Sequence, residues 1–528
     1  MIKLTQIKKK GKEAMNKKIS NFIMYNVYPT SFYDSNADGI GDLKGITQKL
    51  EYIKQFADIV WINPVFKSPF KDGGYDVADY YTIDQRFGTL EDVKELTQKA
   101  HSLGLKILFD LVVGHTSDEH KWFLESQRAE RNEFSDRYIW NDGVFEACPY
   151  KHISGTTERD GNYLINFFSF QPSLNFGFAK KTYPWQNLYT DEACNELHKE
   201  VINIIKFYMA LGVDGFRVDL ANSIVKDDQN GRCSCEVWSK IFGEVRKEYP
   251  EAIFVSEWGQ PQYAVKNGSF DIDFITHCYD DGYNRLFRKE LGTNVFKSNG
   301  ESFFRKQGKG EAKTFFEYFL NALEAVKDSG YISVVTGNHD LPRISMGRTE
   351  EELKTVFAFV LALPTIPMIY YGDEIGMPQA SLKNKDGGYC RTGARTPYQW
   401  SGGKNAGFSE TDGELYLPVN ENYTTVNCEN AEKNENSLIN TVKLLVAFKR
   451  RYLEDLSQNS EFELINEDYP LIFKRTNKKE TFICVVNPSD REFVVEIPKN
   501  YKAVISNNAV IADGKATLGD TSFLWMIE

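Results

Sequence analysis

Up to about residue 453 the chain alternates between two hydrophobic rhythms, short apolar runs bounded by polar turns and longer segments with apolar positions every three or four residues. The first rhythm predicts strands and the second amphipathic helices. Strands are predicted at Phe22–Tyr28, Ile59–Ile62, Lys106–Val113, Val213–Asp219, Ile253–Glu257, Phe270–Phe274, Ile332–Val335 and Met368–Tyr371. Helices are predicted at Leu43–Phe56, Thr89–Leu103, Asp191–Leu211, Cys235–Glu248, Lys313–Lys327, Glu350–Leu361 and Ser437–Arg451. Strand and helix in turn imply a parallel sheet with right-handed crossovers, and eight strands are the number that closes a (β/α)8 TIM barrel.

Two stretches break this rhythm. Residues 115–178 are polar, aromatic and rich in turns, and a structureless loop of that length is improbable, so they read as an inserted subdomain after the third strand. Beyond Glu454 the runs Phe462–Ile465, Leu471–Arg475, Thr481–Val486, Phe493–Ile497 and Ala503–Ile505 alternate with turns, as in a small antiparallel β-sandwich. The expected division is an amino-terminal extension at 1–20, a barrel at 21–114 and 179–453, the insertion at 115–178 and a carboxyl-terminal sandwich at 454–528.

Composition narrows the partners. A net charge of -11 over 528 residues would repel nucleic acid and anionic membrane, which leaves a neutral ligand as the easier fit. Aromatic residues make up 14%, a supply that suits stacking on sugar rings although most aromatics serve a core. The 8 Cys form neither a disulfide framework nor a zinc pattern, and no apolar run reaches membrane-spanning length. A cytoplasmic protein with reduced thiols is expected. The lysine-rich start lacks the apolar segment of a signal peptide, and Met15 is a second plausible start.

The candidate chemistry lies at strand ends, which is where barrel enzymes place it. The third strand offers Asp110 and then His115, the fourth Arg217 and Asp219, the fifth Glu257, the seventh Asn338-His339-Asp340 with Arg343 behind. Arg217 and Asp219 are two apart on an extended strand and share a face. An isolated pair of this kind is more often a structural ion pair; four polar strand ends in one barrel change that balance. Converging carboxylates repel unless one keeps a proton, the condition for acid–base work. In retaining glycoside hydrolysis one carboxylate attacks the anomeric carbon while a protonated one about 5 Å away donates to the leaving oxygen. Asp219 beside Arg217 reads as the anion and Glu257, flanked by Phe254, Val255 and Trp258, as the retained acid. Asp340 would hold sugar hydroxyls, with His115 and His339 as hydrogen-bond donors. Near the amino terminus Asp34, Asn36, Asp38, the Ile40 carbonyl and Asp42 repeat the oxygen-ligand spacing of a Ca2+ loop, without the closing Glu of an EF-hand.

The segments Asp110-Leu-Val-Val-Gly-His115, Gly215-Phe-Arg-Val-Asp219, Ser256-Glu257-Trp258 and Gly337-Asn-His-Asp340 resemble the signature segments of the α-amylase family of glycoside hydrolases. Gly74-Tyr75-Asp76-Val-Ala-Asp79-Tyr80, Gln171-Pro-Ser-Leu-Asn175, Gly372-Asp-Glu374 and Arg395-Thr-Pro-Tyr-Gln-Trp400 are similar to its oligo-1,6-glucosidase and α-glucosidase branch, and the likeness spans nearly the whole chain. It implies Asp219 as nucleophile, Glu257 as general acid/base and Asp340 as transition-state stabiliser. It also implies a glucosyl subsite lined by Arg217, His115 and His339 with Tyr75 stacking, capped by an Asp76–Arg343 pair, and structural Ca2+ in the Asp34–Asp42 loop with no organic cofactor.

Departures from the family pattern bear on specificity. Gly114 stands where an Asn is usual, Ser173 replaces an Asp and Ser256 a Gly, and Leu220 is neither the Ala of α-1,4 nor the Val of α-1,6 enzymes. Asn222 and Ser223 replace the Lys-His of endo-amylases. The expected activity is a retaining α-glucosidase on short α-glucan oligosaccharides. A glucanotransferase or trehalose-forming isomerase, an endo-α-amylase and a non-enzymatic sugar-binding protein are the alternatives.

Overall fold

A computed structural model describes residues 19–276, 279, 281–288, 302–308, 310–387, 390–454, 456 and 460–528. Apart from Ile19 and Ser20, the expected amino-terminal extension, with Met15, lies outside these residues, as does Cys278. Eight parallel strands follow one another: β1 (Met24–Val27), β2 (Ile59–Ile62), β3 (Lys106–Leu111), β4 (Gly215–Val218), β5 (Ile253–Ser256), β6 (Ile272–Ile275), β7 (Tyr331–Val334) and β8 (Met368–Tyr370). From β2 to β7 each pairs with its predecessor, and β1 also pairs with β8. A parallel bridge from Val335 to Met368, with the Thr336 N–H donating to the Met368 carbonyl at 2.9 Å, joins β7 to β8 and closes the barrel. Strands such as Ile-Val-Trp-Ile in β2 are apolar throughout because side chains inside meet the barrel core and those outside meet helices.

Local signals set the helices. Thr89 with Asp92 and Thr349 with Glu352 form reciprocal capping boxes at the starts of Leu90–Ser102 and Glu350–Ala362. The helix expected at Cys235–Glu248 spans Arg232–Val245 because the Asp228 carboxylate accepts from the Cys233 and Ser234 N–H groups at 3.1 and 2.8 Å and so starts it earlier. The helix expected at Leu43–Phe56 is two pieces, Leu43–Gln48 and Leu50–Lys54. Its break at Lys49 accompanies a tertiary contact, the ammonium lying 4.1 and 4.2 Å over the Tyr33 and Trp400 rings.

The insertion carries a short helix, Lys121–Ser126, and a hairpin of His152–Ser154 with Asn162–Leu164. The carboxyl-terminal strands β9 (Glu461–Asn466), β10 (Leu471–Thr476), β11 (Thr481–Asn487), β12 (Phe493–Glu496), β13 (Lys502–Ala512) and β14 (Lys515–Ile527) form one antiparallel sheet. The long β14 was absent from the sequence reading, its apolar run being interrupted by Gly519 and Asp520. It pairs β12 through Lys515–Leu518, β11 through Ser522–Ile527, and β13 along both halves. The sheet thus folds over a small core of Ile483, Val485, Leu518, Leu524 and Met526, while Phe473, Phe482, Cys484 and Trp525 join the barrel core. Arg475 fastens this join by donating to the Ala362 carbonyl at 2.7 Å.

Gly215 opens the strand that bears the candidate chemistry. A Cβ there would stand 1.9 Å from the Ile253 carbonyl oxygen, so β4 and β5 approach as closely as they do only around a glycine. Gly215→Ala is expected to destabilise the fold by about 2–3 kcal/mol or more; urea unfolding with an unchanged midpoint would contradict this packing.

Candidate active site

The carboxyl-terminal ends of five strands deliver side chains to one cavity floor. At its centre is Arg217, 1% exposed. Its Nη1 donates to Asp110 Oδ1 at 2.6 Å and to Asp219 Oδ1 at 2.9 Å, and its Nη2 lies 2.8 Å from Glu257 Oε1. The guanidinium packs 5.0 Å from the Trp61 ring centre, and Trp61 Nε1 and the Tyr75 hydroxyl both donate to Asp110 Oδ2 at 2.9 Å. Asp110 therefore anchors the arginine, whose two nitrogens present it to the other two carboxylates.

Three carboxylates on one guanidinium leave excess negative charge in a buried place, so the cluster must hold a proton. Burial pushes Asp219 well above the usual carboxylate range against the pull of Arg217, and the Glu257 and Asp110 charges add to the push. This direction departs from the expectation that Asp219 is the plain anion of the cluster. The apolar pocket expected around Glu257 is not what meets its carboxylate: Phe254 stacks away on Phe242 with ring centres 3.8 Å apart, and the Glu257 oxygens face Arg217 and the Leu220 N–H, which donates to Oε2 at 3.0 Å. Leu220 reaches that position in a left-handed conformation, φ 43°, a strained state for a branched residue that has a partner to justify it.

Asp340 forms the opposite wall. Its Oδ1 accepts from Arg391 Nη1 at 2.7 Å and Arg395 Nη2 at 3.1 Å, and its Oδ2 lies 3.0 Å from His339 Nε2. Burial opposes its charge, but His339 and the two arginines overcome it and hold the carboxyl well below the usual range. The Asn63 amide reaches His339 Nδ1 at 3.1 Å, which assigns the proton to Nε2 and aims it at Asp340. The Tyr75 ring lies parallel to His339, centres 5.0 Å apart.

The cap of the pocket differs from the expected pair. Asp76 is wholly buried and accepts from the Ser68 hydroxyl at 3.0 Å and from the Lys71 and Asp72 N–H groups at 2.9 and 3.0 Å, so it shapes its own turn. Arg343 points to the Tyr371 carbonyl at 2.7 Å and to Asp373. The carboxylate and guanidinium that meet are Asp72 and Arg391, with the Gln171 amide donating to Asp72 at 2.7 Å. Asp72 sits one turn before Asp76, and a loop that lets the earlier aspartate face Arg391 uses the later one as its hydrogen-bond hub. Arg391 and Arg395, four apart, were the legible hint.

His115 keeps its ring nitrogens on protein groups, Nε2 on the Tyr75 carbonyl at 2.8 Å and Nδ1 on the Asn166 amide at 3.1 Å. Asn166 also explains Gly114: a Cβ there would lie 3.0 Å from the Asn166 amide nitrogen, so an amide from the insertion fills the space of the missing Asn side chain. Lys226 donates to Asn166 Oδ1 at 3.1 Å and supplies the positive charge at this point.

In the Asp34–Asp42 loop, Asp34, Asn36 and Asp38 each accept from the N–H two residues on, at 3.1, 3.0 and 2.8 Å. Asp42 turns to Ser35 and the Gly45 N–H. The donors are hard oxygens, as Ca2+ requires, but among the described residues no three His, Cys, Asp or Glu side chains stand grouped for a metal.

A carboxylate cluster around one arginine at the carboxyl-terminal mouth of a (β/α)8 barrel defines an acid–base barrel enzyme. The family model described as the α-amylase catalytic domain matches residues 26–458. An oligo-1,6-glucosidase of Parageobacillus thermoglucosidasius is 31% identical over 92% of this chain and 94% of its own, as is a glucan 1,6-α-glucosidase of Streptococcus pneumoniae. A Bacillus licheniformis trehalose-6-phosphate hydrolase structure, 25% identical, superposes with a TM-score of 0.77 over 96% of this chain and 99% of its own. The chain belongs to the α-amylase family of glycoside hydrolases.

Burial holds His115, His198 and His339 down at about 4 and His120 at about 3, so these rings stay neutral in the fold. Their contribution is complete above the unfolded value near 6.5 and is lost as pH falls toward 4. Asp76, pushed up to about 6 by burial, acts in the opposite sense over a similar window. Asp273, pushed up to about 7, and the buried Asp219, Asp110 and Glu374, raised by burial, act in that sense too. The histidine share is read by difference: His198→Gln is expected to lose less melting temperature than wild type between pH 6.5 and 4, and parallel profiles in scanning calorimetry would contradict the neutral assignment of His198.

Proposed function

We propose that the protein is a retaining exo-α-glucosidase that releases glucosyl units from short α-linked oligosaccharides through a covalent intermediate. The observation that carries this is the shared Arg217 fork: carboxylates on neighbouring nitrogens of one guanidinium stand side by side. Two carboxylates held by one guanidinium suit the separation of about 5 Å in retaining enzymes better than that of about 6.5–9.5 Å in inverting ones.

In this reading the non-reducing glucosyl unit enters between Tyr75 and the Asp72–Arg391 pair, whose closure at that end favours exo action. Asp340, kept ionised by Arg391, Arg395 and His339, grips ring hydroxyls and stabilises the positive charge that develops at C1. The proton retained by the carboxylate pair resides on Glu257 when C1 faces Asp219. Asp219 attacks C1, the C1–oxygen bond breaks, and Glu257 gives its proton to the departing oxygen. Glu257, now a base, takes a proton from an incoming water, whose oxygen displaces Asp219 and frees glucose.

The oligosaccharide-acting relatives and the described cysteines, all free, support a cytoplasmic enzyme of sugar breakdown. Ca2+ at Asp34, Asn36, Asp38, the Ile40 carbonyl and Asp42 is a structural proposal, supported by donor type and loop winding; an ion there would compete with the hydrogen bonds of Asp42. A higher melting temperature in CaCl2 than in EDTA is expected, and coincident curves would end that assignment.

Asp219→Asn and Glu257→Gln are each expected to lower kcat by at least about 1,000-fold with unchanged circular dichroism. Full activity in either overturns the roles. Maltose, isomaltose and maltotriose followed over time should yield glucose; rearranged or longer products would make the enzyme a transferase using the same intermediate.

A further inference from the structure

The acid/base residue sits on a short segment, Ser256 to Gly259, that leaves the end of β5. One oxygen of Asp273, on the neighbouring strand β6, gathers three donors from that segment: the Ser256 hydroxyl at 2.7 Å, the Trp258 N–H at 3.1 Å and the Gly259 N–H at 3.3 Å. The two residues adjoining Glu257, one on each side, are thus tied to one atom. Asp273 is wholly buried, its Oδ2 has no hydrogen-bond partner among the described residues, and β5 and β6 place it in register with Ser256.

Other contacts stop the segment from sliding. The Glu257 N–H donates to the Val218 carbonyl at 3.0 Å, and the Tyr318 hydroxyl donates to the Gly259 carbonyl at 2.7 Å. The Trp258 ring is seated against Gly231, where a Cβ would fall 2.1 Å from Cζ2. Among the described residues only the Asp273 side chain accepts hydrogen bonds from both flanks of Glu257, and the hydroxyl it uses exists because residue 256 is Ser and not the Gly usual beside the acid.

We propose that Asp273 is the positioning residue for the general acid/base, with Ser256 as its partner, holding the Glu257 carboxyl in line with the leaving oxygen. This rests on the glycosidase reading above. Asp273 does not face the cavity floor described for the sugar and acts through the backbone it clamps. Burial pushes its carboxyl up to about 7, so near neutral pH part of the population carries a proton, for which the unpartnered Oδ2 is the available place. Gains and losses of that proton leave three donors sharing Oδ1 with a weaker acceptor or a stronger one.

The test uses leaving groups that differ in their need for a proton. In Asp273→Asn, kcat/KM for methyl α-glucoside or isomaltose is expected to fall by about 10- to 100-fold, the scale of a general acid displaced by a fraction of an ångström. For 2,4-dinitrophenyl α-glucoside, whose phenolate leaves unprotonated, it should change by less than about threefold. Ser256→Gly should show the same split, smaller in size, and serves if the first variant does not fold. Equal losses on both substrates in a folded variant, or no loss on either, would overturn the proposal. Wild-type protein inert toward the dinitrophenyl glucoside, or Glu257→Gln as active as wild type on isomaltose, would instead overturn the glycosidase reading itself.

Discussion

Arg217 is the constraint on which the rest of the site depends. A single buried guanidinium balances one of its three carboxylates, so two negative charges are left over and the cluster is driven to retain a proton. A symmetrical ion pair would be a stabilising brace with nothing to exchange. Surplus acid is costly in a low-dielectric site, and in the proposed reaction it supplies a proton to deliver and an anion to attack with.

The surroundings divide this cost between elements distant in sequence. Trp61, Tyr75 and Asp110 fix the arginine from below, and the close approach of β4 to β5 around Gly215 brings Asp219 and Glu257 to the same fork. Asp340 is given the opposite environment, two arginines and a neutral histidine, and so remains charged. The carboxylates of one cavity are therefore set to different tasks by their neighbours. In the proposed reaction the pair from β4 and β5 exchanges a proton while the β7 residue does not.

The barrel was legible because its strands are short, apolar and regularly spaced, and because the polar residues at their ends interrupt otherwise hydrophobic runs. Helix limits were less so, since Asp228 caps a helix from four residues upstream and Lys49 is pulled toward two aromatic rings that lie elsewhere in the chain. Within the site, Asp219, Glu257 and Asp340 stand at strand ends, where spacing alone singles them out. Asp72, Gln171 and Arg391 come from three separate loops, and their meeting depends on tertiary folding that no local pattern records. Asp72 and Asp76 illustrate this: the two acids are four residues apart, and only the turn sets which one meets Arg391. Asp273 is illegible for a related reason, as a lone acid in a strand whose partner hydroxyl, Ser256, lies on the neighbouring strand.

The claim that Asp219 and Glu257 act as nucleophile and acid on one face-to-face fork is tested most directly by stopping the reaction halfway. Glu257→Gln incubated with 2,4-dinitrophenyl 2-deoxy-2-fluoro-α-glucoside, or with its 5-fluoro counterpart, should accumulate protein heavier by one fluoroglucosyl residue. Peptide mass spectrometry should place that residue on Asp219. An adduct on a different carboxylate, or turnover to the inverted sugar with none formed, would contradict the account.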